Sequence, residues 1–418
     1  MVINDMIIIG GGLSGLYTAY KYNKKNPKAK IILLECQDRL GGRIYTYEDD
    51  IYGKIEAGAA RFLPVHKHMI QLIHELNLES HINQIPPDIG YEPIHPISIK
   101  LPHSPKDITN LNKIILKQAN KTPREVLQNT IFMDFVKKVL SPEEAQLYYD
   151  SFGYTSELTF MNAYDTTQLI KNHFLMKHFL NLKGGLSQIV DKLVTKLQTK
   201  RNIEFKTNFR VSDIEYNEQE QLFQISCKTN KNFHGRTCIC TFNKETAEHF
   251  PIFKPIKSYL KYIKNLPLCR IYSKFSPDPE TNEPWFKGRN KFTTNNQLRM
   301  VIPMNADRGT AMISYSDNHY AKSWYKLYKT KGIDAVNQKL HKLIQQSVPN
   351  TPIPLPTHTK IFYWEHAVAY YGKGFESTTI LNKIRQPYHD IPLYLCGENY
   401  SEKNNQWMEG ALDTVPNL

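Results

Sequence analysis

No uninterrupted apolar run in this 418-residue chain approaches the roughly 18 residues that a membrane-crossing helix needs, so no span is expected. The first strand-like run begins within a few residues of Met1, which leaves no room for a signal peptide. A soluble cytoplasmic protein is the expectation. Cysteine is scarce, with only Cys36, Cys227, Cys238, Cys240, Cys269 and Cys396. Most sit in apolar strand-like stretches, and the Cys238/Cys240 alternation on one strand face suits burial rather than zinc. A reducing compartment fits that usage. The histidines are scattered, and His66-x-His68 alone is too little for a metal site. Acidic residues are outnumbered 40 to 53, giving a formal charge of +13. The lysines are nevertheless interspersed with Asn, Ile and Tyr, without a basic tail or aromatic-basic ladder. A solvated basic surface is expected, and no nucleic-acid motif is present. No internal repeat is found.

What is present concentrates in the first 61 residues. Ile7, Ile8 and Ile9 read as a parallel strand buried on both faces. Gly10 permits a tight turn, Gly12 a close backbone approach to a pyrophosphate, and Gly15 close packing of the following helix. That helix, opening at Leu13 and Ser14, turns its N–H groups and positive dipole end to phosphate. Residues 31–35 form a second strand ending in Glu35, about 20 residues beyond Gly15. Its carboxylate suits ribose hydroxyls and repels a 2′-phosphate. This order predicts an α/β, Rossmann-like dinucleotide-binding domain. A layer of that fold without a ligand is the alternative.

A second glycine turn follows: Glu35-x-x-x-Arg39-x-Gly41-Gly42-Arg43. It resembles the second signature of FAD-dependent flavoproteins of the monoamine oxidase and L-amino-acid oxidase superfamily. In that reading Gly41 and Gly42 approach the cofactor closely, and Arg43 pairs with phosphate oxygens as a fork. The composition also resembles flavin oxidase-like proteins of large DNA viruses. The family's closing motif is matched at the other end by Gly397-Glu398 and Trp407-Met408-Glu409-Gly410-Ala411. The resemblance places Gly397 and Glu398 against the ribityl and pyrophosphate, and the Met408 backbone N–H at flavin N1 and C2=O. It also places the Val211 backbone at the adenine, although an ordinary strand residue is an equal reading. Membrane-bound relatives carry a C-terminal anchoring helix, whereas this chain stops shortly after Leu412. The flavin is expected to be non-covalent, because no cysteine lies between Cys269 and Cys396.

The expected organisation is discontinuous. Residues 1–64, 184–244 and 357–418 make the FAD-binding domain. Residues 65–183 and 245–356 make a mixed α+β substrate domain, with 65–180 largely helical as a cap. A helix is expected over 66–78, a proline-rich connection over 86–105 and a polar surface loop over 276–296. Helices are expected over 319–328 and 332–348.

For the substrate, Gly58-Ala59-Ala60-Arg61 is similar to a segment of L-amino-acid oxidases and tryptophan monooxygenases whose arginine clamps the substrate carboxylate. A structural ion pair or a flavin contact is the alternative for Arg61. Trp407 takes the place of one wall of the family's aromatic cage, and Tyr370 or Tyr371 the other, unless these rings are simply core. Arg270 stands where amine oxidases usually carry a lysine linked through water to flavin N5, which puts oxygen as acceptor in question. Gln406 replaces a small residue and narrows the pocket. The resemblance implies oxidation of the C–N bond of an L-amino acid or amine by hydride transfer to flavin N5, giving an imine and hydrogen peroxide. The alternatives are a flavin desaturase or oxidase of a non-amine substrate, and a catalytically lapsed interaction protein.

Overall fold

The computed structural model describes residues 2–85, 92–94, 106–174 and 178–418. Residues 6–9 of the Ile3–Ile9 strand and all of Ile31–Leu34 are buried and lie parallel at the centre of a seven-stranded sheet. The sheet order is Ile203–Lys206, Ile31–Leu34, Ile3–Ile9, Asn232–Cys240, Leu222–Cys227 and Val211–Asn217. The Asn232–Cys240 strand shares one edge between two partners. Residues 232–235 pair antiparallel with Leu222–Cys227, and Cys238, Ile239 and Cys240 pair parallel with Leu393–Leu395. Both faces are covered. Leu16 and Ala19 of the Leu13–Lys25 helix pack with Ile189, Leu193 and Leu197 of Ser187–Gln198 on one side. Phe223, Phe253, Tyr371 and Ile384 fill the other.

A second, six-stranded sheet runs His358–Tyr371, Ile263–Lys274, Thr310–Asp317, Met300–Asn305, Phe292–Thr294, Glu92–Ile94. One face packs on the long Asn318–Ser347 helical run through Trp324, Val336, Leu340 and Ile344. Gly332, at φ +77, breaks that run in two, at the boundary the sequence leads one to expect. The other face carries Tyr272, Met312 and Phe362 against Tyr52 and Ile55 of the Thr46–Asp49/Gly53–Glu56 hairpin. The cap is built from Lys106–Ala119, Arg124–Gln128, Phe132–Val139, Pro142–Phe152 and Ala163–Leu169 around Phe132, Val136 and Tyr148.

Three expectations are revised. His358–Tyr371, expected in the cofactor-side segment 357–418, is an edge strand of the six-stranded sheet, paired with Ile263–Lys274 from Ile263↔Tyr371 to Lys274↔His358. Phe292–Thr294, inside the expected surface loop, is a buried strand paired with Glu92–Ile94 and Met300–Asn305. The helix expected over 66–78 is shorter, Lys67–Glu75. Apart from Glu92–Ile94, the proline-rich connection 86–105 lies outside the described residues.

Candidate active site

The two glycine turns are bonded to each other: the Gly41 N–H donates to Gly11 O at 2.8 Å, and Gly12 and Gly41 are bridge partners. Gly10 has φ +110, and a Cβ on Gly15 would stand 2.0 Å from Gly10 O, so the helix seats directly on the turn. Gly12 differs. A Cβ there would find nothing nearer than Gly42 Cα at 4.0 Å, and one on Gly397 nothing nearer than Ser14 Oγ at 4.0 Å. Both glycines therefore look onto open space at the start of the Leu13–Lys25 helix. No side chain caps that helix, and its first turn holds no acid. The Ser14 hydroxyl, donating to Ala411 O at 2.6 Å, ties it to the closing Met408–Asp413 helix, whose N-cap is Trp407. A glycine-lined space at an uncapped helix N-terminus matches a dinucleotide pyrophosphate in shape and charge.

Glu35 is buried. Its Oε2 accepts the Gly11 N–H at 2.7 Å, and its Oε1 accepts the Gln37 N–H at 2.8 Å. Oε1 also accepts the Cys36 thiol at 3.3 Å, so Oε2 is the oxygen that keeps a lone pair for a ribose hydroxyl. Burial and Glu35 push the Cys36 thiol up to about 11. Phe209 and Asn208 donate to Glu35 O and Gln37 O, both at 2.8 Å, which brings the strand opening at Val211 beside this end of the site. Arg39 braces the second turn through Gly42 O at 2.7 Å, with its guanidinium 4.6 Å from the Tyr45 ring centre. Arg43 and Glu398, each expected on the cofactor, are paired with one another. Arg43 also donates to Ala367 O at 2.7 Å, and Glu398 accepts from Asn399 Nδ2 at 2.7 Å and the Gln406 N–H at 3.0 Å.

The segment from Glu56 to Arg61 threads between this cradle and the six-stranded sheet. A Cβ on Gly58 would lie 1.9 Å from Arg43 O, and Ala59 N–H donates to that same oxygen at 2.9 Å. Arg270 Nη1 and the Tyr272 hydroxyl both donate to Glu56 O at 2.7 Å, and Trp364 Nε1 donates to Ala57 O at 2.7 Å. Arg270 is thus a buried pin between sheet and segment. Its Nη2 donates to the Tyr315 hydroxyl at 3.1 Å, while its buried Nε has no protein partner.

Around the space beyond, contacts form a circuit. The Arg61 guanidinium lies 4.1 Å from the Phe179 ring centre, and Phe179 stacks with Trp407 at 6.2 Å and 10°. Trp407 also stacks with His173 at 5.2 Å and 15°. Gln406, held at φ +75, sends its amide to Met161 Sδ at 3.2 Å, and Met161 packs with Tyr370. Burial first, then the charges of Glu157, Asp317 and Tyr315, hold the Tyr370 hydroxyl well above the usual phenol range. Burial works to raise the Tyr315 hydroxyl, but Arg270, Tyr154 and Arg61 together hold it below the usual phenol range, and Arg61 closes the circuit. Tyr371 is not part of it. Strand alternation turns it to the opposite face, where its fully buried hydroxyl donates to Ser401 O at 2.6 Å. Of the two tyrosines, Tyr370 is the one on the side of Met161.

Several residues here escape sequence reading. Glu157 is buried on the short Ser156–Thr159 turn; burial and Asp317 push its carboxyl up to about 8. His66 and His173 are a buried pair behind Trp407. His66 Nδ1 accepts the Leu63 N–H at 3.2 Å, and burial followed by His173 lowers its ring to about 3. Only the His66-x-His68 spacing offered any signal. Among the described residues, no three His, Cys, Asp or Glu are arranged to hold a metal, and no helix is long and apolar enough to cross a membrane.

This geometry defines a Rossmann-like mixed α/β fold with a separate second sheet. The family model described as flavin containing amine oxidoreductase matches residues 13–414, and the chain belongs to that family. An uncharacterized protein of Acanthamoeba polyphaga mimivirus is 22% identical, over 99% of this chain and 92% of its own length. The flavin-containing amine oxidase A of Sus scrofa is 35% identical over 77 residues, which are 18% of this chain and 14% of that enzyme. A solved putrescine oxidase with redesigned cofactor binding superposes with TM-score 0.76 at 15% identity, covering 99% of this chain and 97% of that one. It shows the fold. The family binds FAD and oxidises amines, and the open glycine-lined space at Gly12 and Gly397 fits that cofactor.

Proposed function

We propose that this chain is an FAD-dependent oxidoreductase acting on the C–N bond of an amine or L-amino acid. The observation that carries it is the adjacency of the glycine cradle to a buried polar circuit closed by Arg61, Tyr315 and Tyr370. FAD, when bound, supplies a two-electron acceptor for the substrate hydride and a route for those electrons to oxygen. Gly12, the Leu13–Lys25 N-terminus, Glu35, Val211 and Gly397 would hold it, with the Met408 N–H toward the flavin ring. The attachment is non-covalent. Burial keeps the Cys396 thiol, next to Gly397, up at about 12.

Arg61 receives a substrate carboxylate, and Trp407 and Tyr370 exclude water and orient the amine. Arg270 keeps the Glu56–Arg61 segment in place. Residues 1–64, 184–244 and 393–418 serve the cofactor, and 65–183 with 245–371 serve the substrate.

The visible spectrum of purified protein, followed by anaerobic additions of L-amino acids and amines, tests the reading. Bleaching of the flavin band is expected. In Arg61→Ala the KM for a carboxylate substrate should rise at least about tenfold more than for its decarboxylated amine, a difference of about 1.4 kcal/mol. Equal effects would remove the clamp, and a yellow protein that none of them bleaches would overturn C–N oxidation.

A further inference from the structure

Glu157 is 4% exposed, and its Oε2 has no hydrogen-bond partner. Beside it, Asp317 is fully committed. Its carboxylate accepts the Thr155 N–H at 2.9 and 3.1 Å, the Thr155 hydroxyl at 2.9 Å and the Ser156 N–H at 2.7 Å. Asp317 is therefore a fixed negative charge at the start of the turn that carries Glu157. The obvious structural counter-ion, Arg299, is engaged elsewhere: Nη2 donates to Tyr149 O at 2.9 Å, Nε to Gly153 O and Nη1 to Thr294 O, and it pairs loosely with Asp150 at 3.9 Å. Among the described residues, no basic side chain is among the groups acting on Glu157. Two buried carboxyl groups without a cation are costly unless a partner arrives from outside. The charges of both acids act on the Tyr370 hydroxyl.

We propose that Glu157, backed by Asp317, receives the terminal ammonium of a substrate that carries a second amino group, with the reacting C–N bond toward the Arg61 end. This rests on the amine-oxidation reading and names its substrate class as dibasic. Burial and Asp317 leave the Glu157 carboxyl protonated at neutral pH. The titratable groups facing it are Asp317 and the Tyr370 hydroxyl, neither a cation. An arriving ammonium favours the ionised form, so the acid gives its proton to solvent and a carboxylate–ammonium pair forms.

Anaerobic calorimetry of the FAD-loaded protein at pH 7, in two buffers of different ionisation enthalpy, tests this. L-lysine and cadaverine are compared with L-norleucine and n-pentylamine, which keep the carbon chain and one ammonium but lack the terminal amino group. The dibasic ligands should bind at least about tenfold tighter and release close to one proton. A lysine advantage over cadaverine would make the substrate a dibasic amino acid, and the reverse a diamine. Glu157→Gln reproduces the shape of the neutral acid and should fold; in it, proton release should vanish and the dibasic preference fall about tenfold. Equal binding of the dibasic ligands and those lacking the terminal amino group, no binding of the dibasic ones, or an unchanged preference in the variant would overturn the subsite. Bleaching by norleucine or pentylamine without dibasic preference would sink the subsite alone. Dibasic binding with proton release but no bleaching would sink the redox reading alone.

Discussion

Gly12 and Gly15 stand three residues apart in one turn, yet a methyl group would meet opposite conditions at the two. At Gly15 it would run into Gly10 O at 2.0 Å, and at Gly12 it would enter open space. Gly15→Ala should therefore lower the apoprotein's urea unfolding free energy by about 1–3 kcal/mol, the ordinary cost of overpacking. Gly12→Ala should leave that value unchanged and weaken FAD binding at least about tenfold in a fluorescence titration. Equal loss of stability in both variants would mean that the space at Gly12 is not the cofactor's. These glycines are legible in sequence because their constraint is local. Tyr370 and Tyr371 are not, since strand alternation puts neighbours on opposite faces and one step of register decides which ring meets the substrate space. Arg43 and Glu398, 355 residues apart, each fit a phosphate or ribityl contact in isolation. Only the folded chain shows them paired.

At the scale of elements, Glu409 shows how the closing helix is held. Its Oε1 accepts the His68 N–H at 3.0 Å and meets His68 Nδ1 at 2.9 Å, and its Oε2 accepts the Met69 N–H at 2.9 Å. A carboxylate from Met408–Asp413 thereby caps the N-terminus of Lys67–Glu75, for which His66, the N-cap residue, offers no side-chain bond. Glu409→Ala leaves two helix donors unmet, which should cost about 2–4 kcal/mol in urea unfolding. A loss below about 0.5 kcal/mol would show that the cap is dispensable. The motif around Trp407 marked this helix in the sequence, but not what its acid does. The Phe292–Thr294 strand was hidden for a related reason: three residues beside a polar loop carry too little alternation to stand out, and one of their two partner strands, Glu92–Ile94, is some 200 residues away.

Across the whole molecule, the buried His66 and Glu157 give stability a pH profile. His66 has its folded value lowered from 6.5 to about 3, so its contribution is lost as pH falls below 6.5. Glu157 has its folded value raised from 4.5 to about 8, so stability is lost as pH rises above 4.5. Between 4.5 and 6.5 the two slopes oppose each other. These two groups alone would leave stability flat there, and from pH 6.5 to 8 it should fall by about 1.4 kcal/mol per unit through Glu157. Glu157→Gln should turn the plateau into a rise with pH that levels off from 6.5 to 8, and His66→Gln should convert it to a decline with rising pH. Profiles parallel to that of the unaltered protein would exclude these two groups as the cause. The architecture itself was readable because glycine turns at both ends of the chain point to one cofactor cradle. The boundary near residue 357 was not, because a 14-residue strand of mixed pattern can join either sheet and long-range pairing decides.

The shared edge of Asn232–Cys240 has a consequence for synthesis. Cys238, Ile239 and Cys240 leave the ribosome some 150 residues before Leu393–Leu395, the strand that covers them. Throughout that interval the growing polypeptide exposes an unpaired parallel edge beside its central strand, a surface open to pairing with other chains. The cradle's final wall at Gly397 comes later still, so a nascent chain can assemble the first glycine turn long before it can close around a flavin.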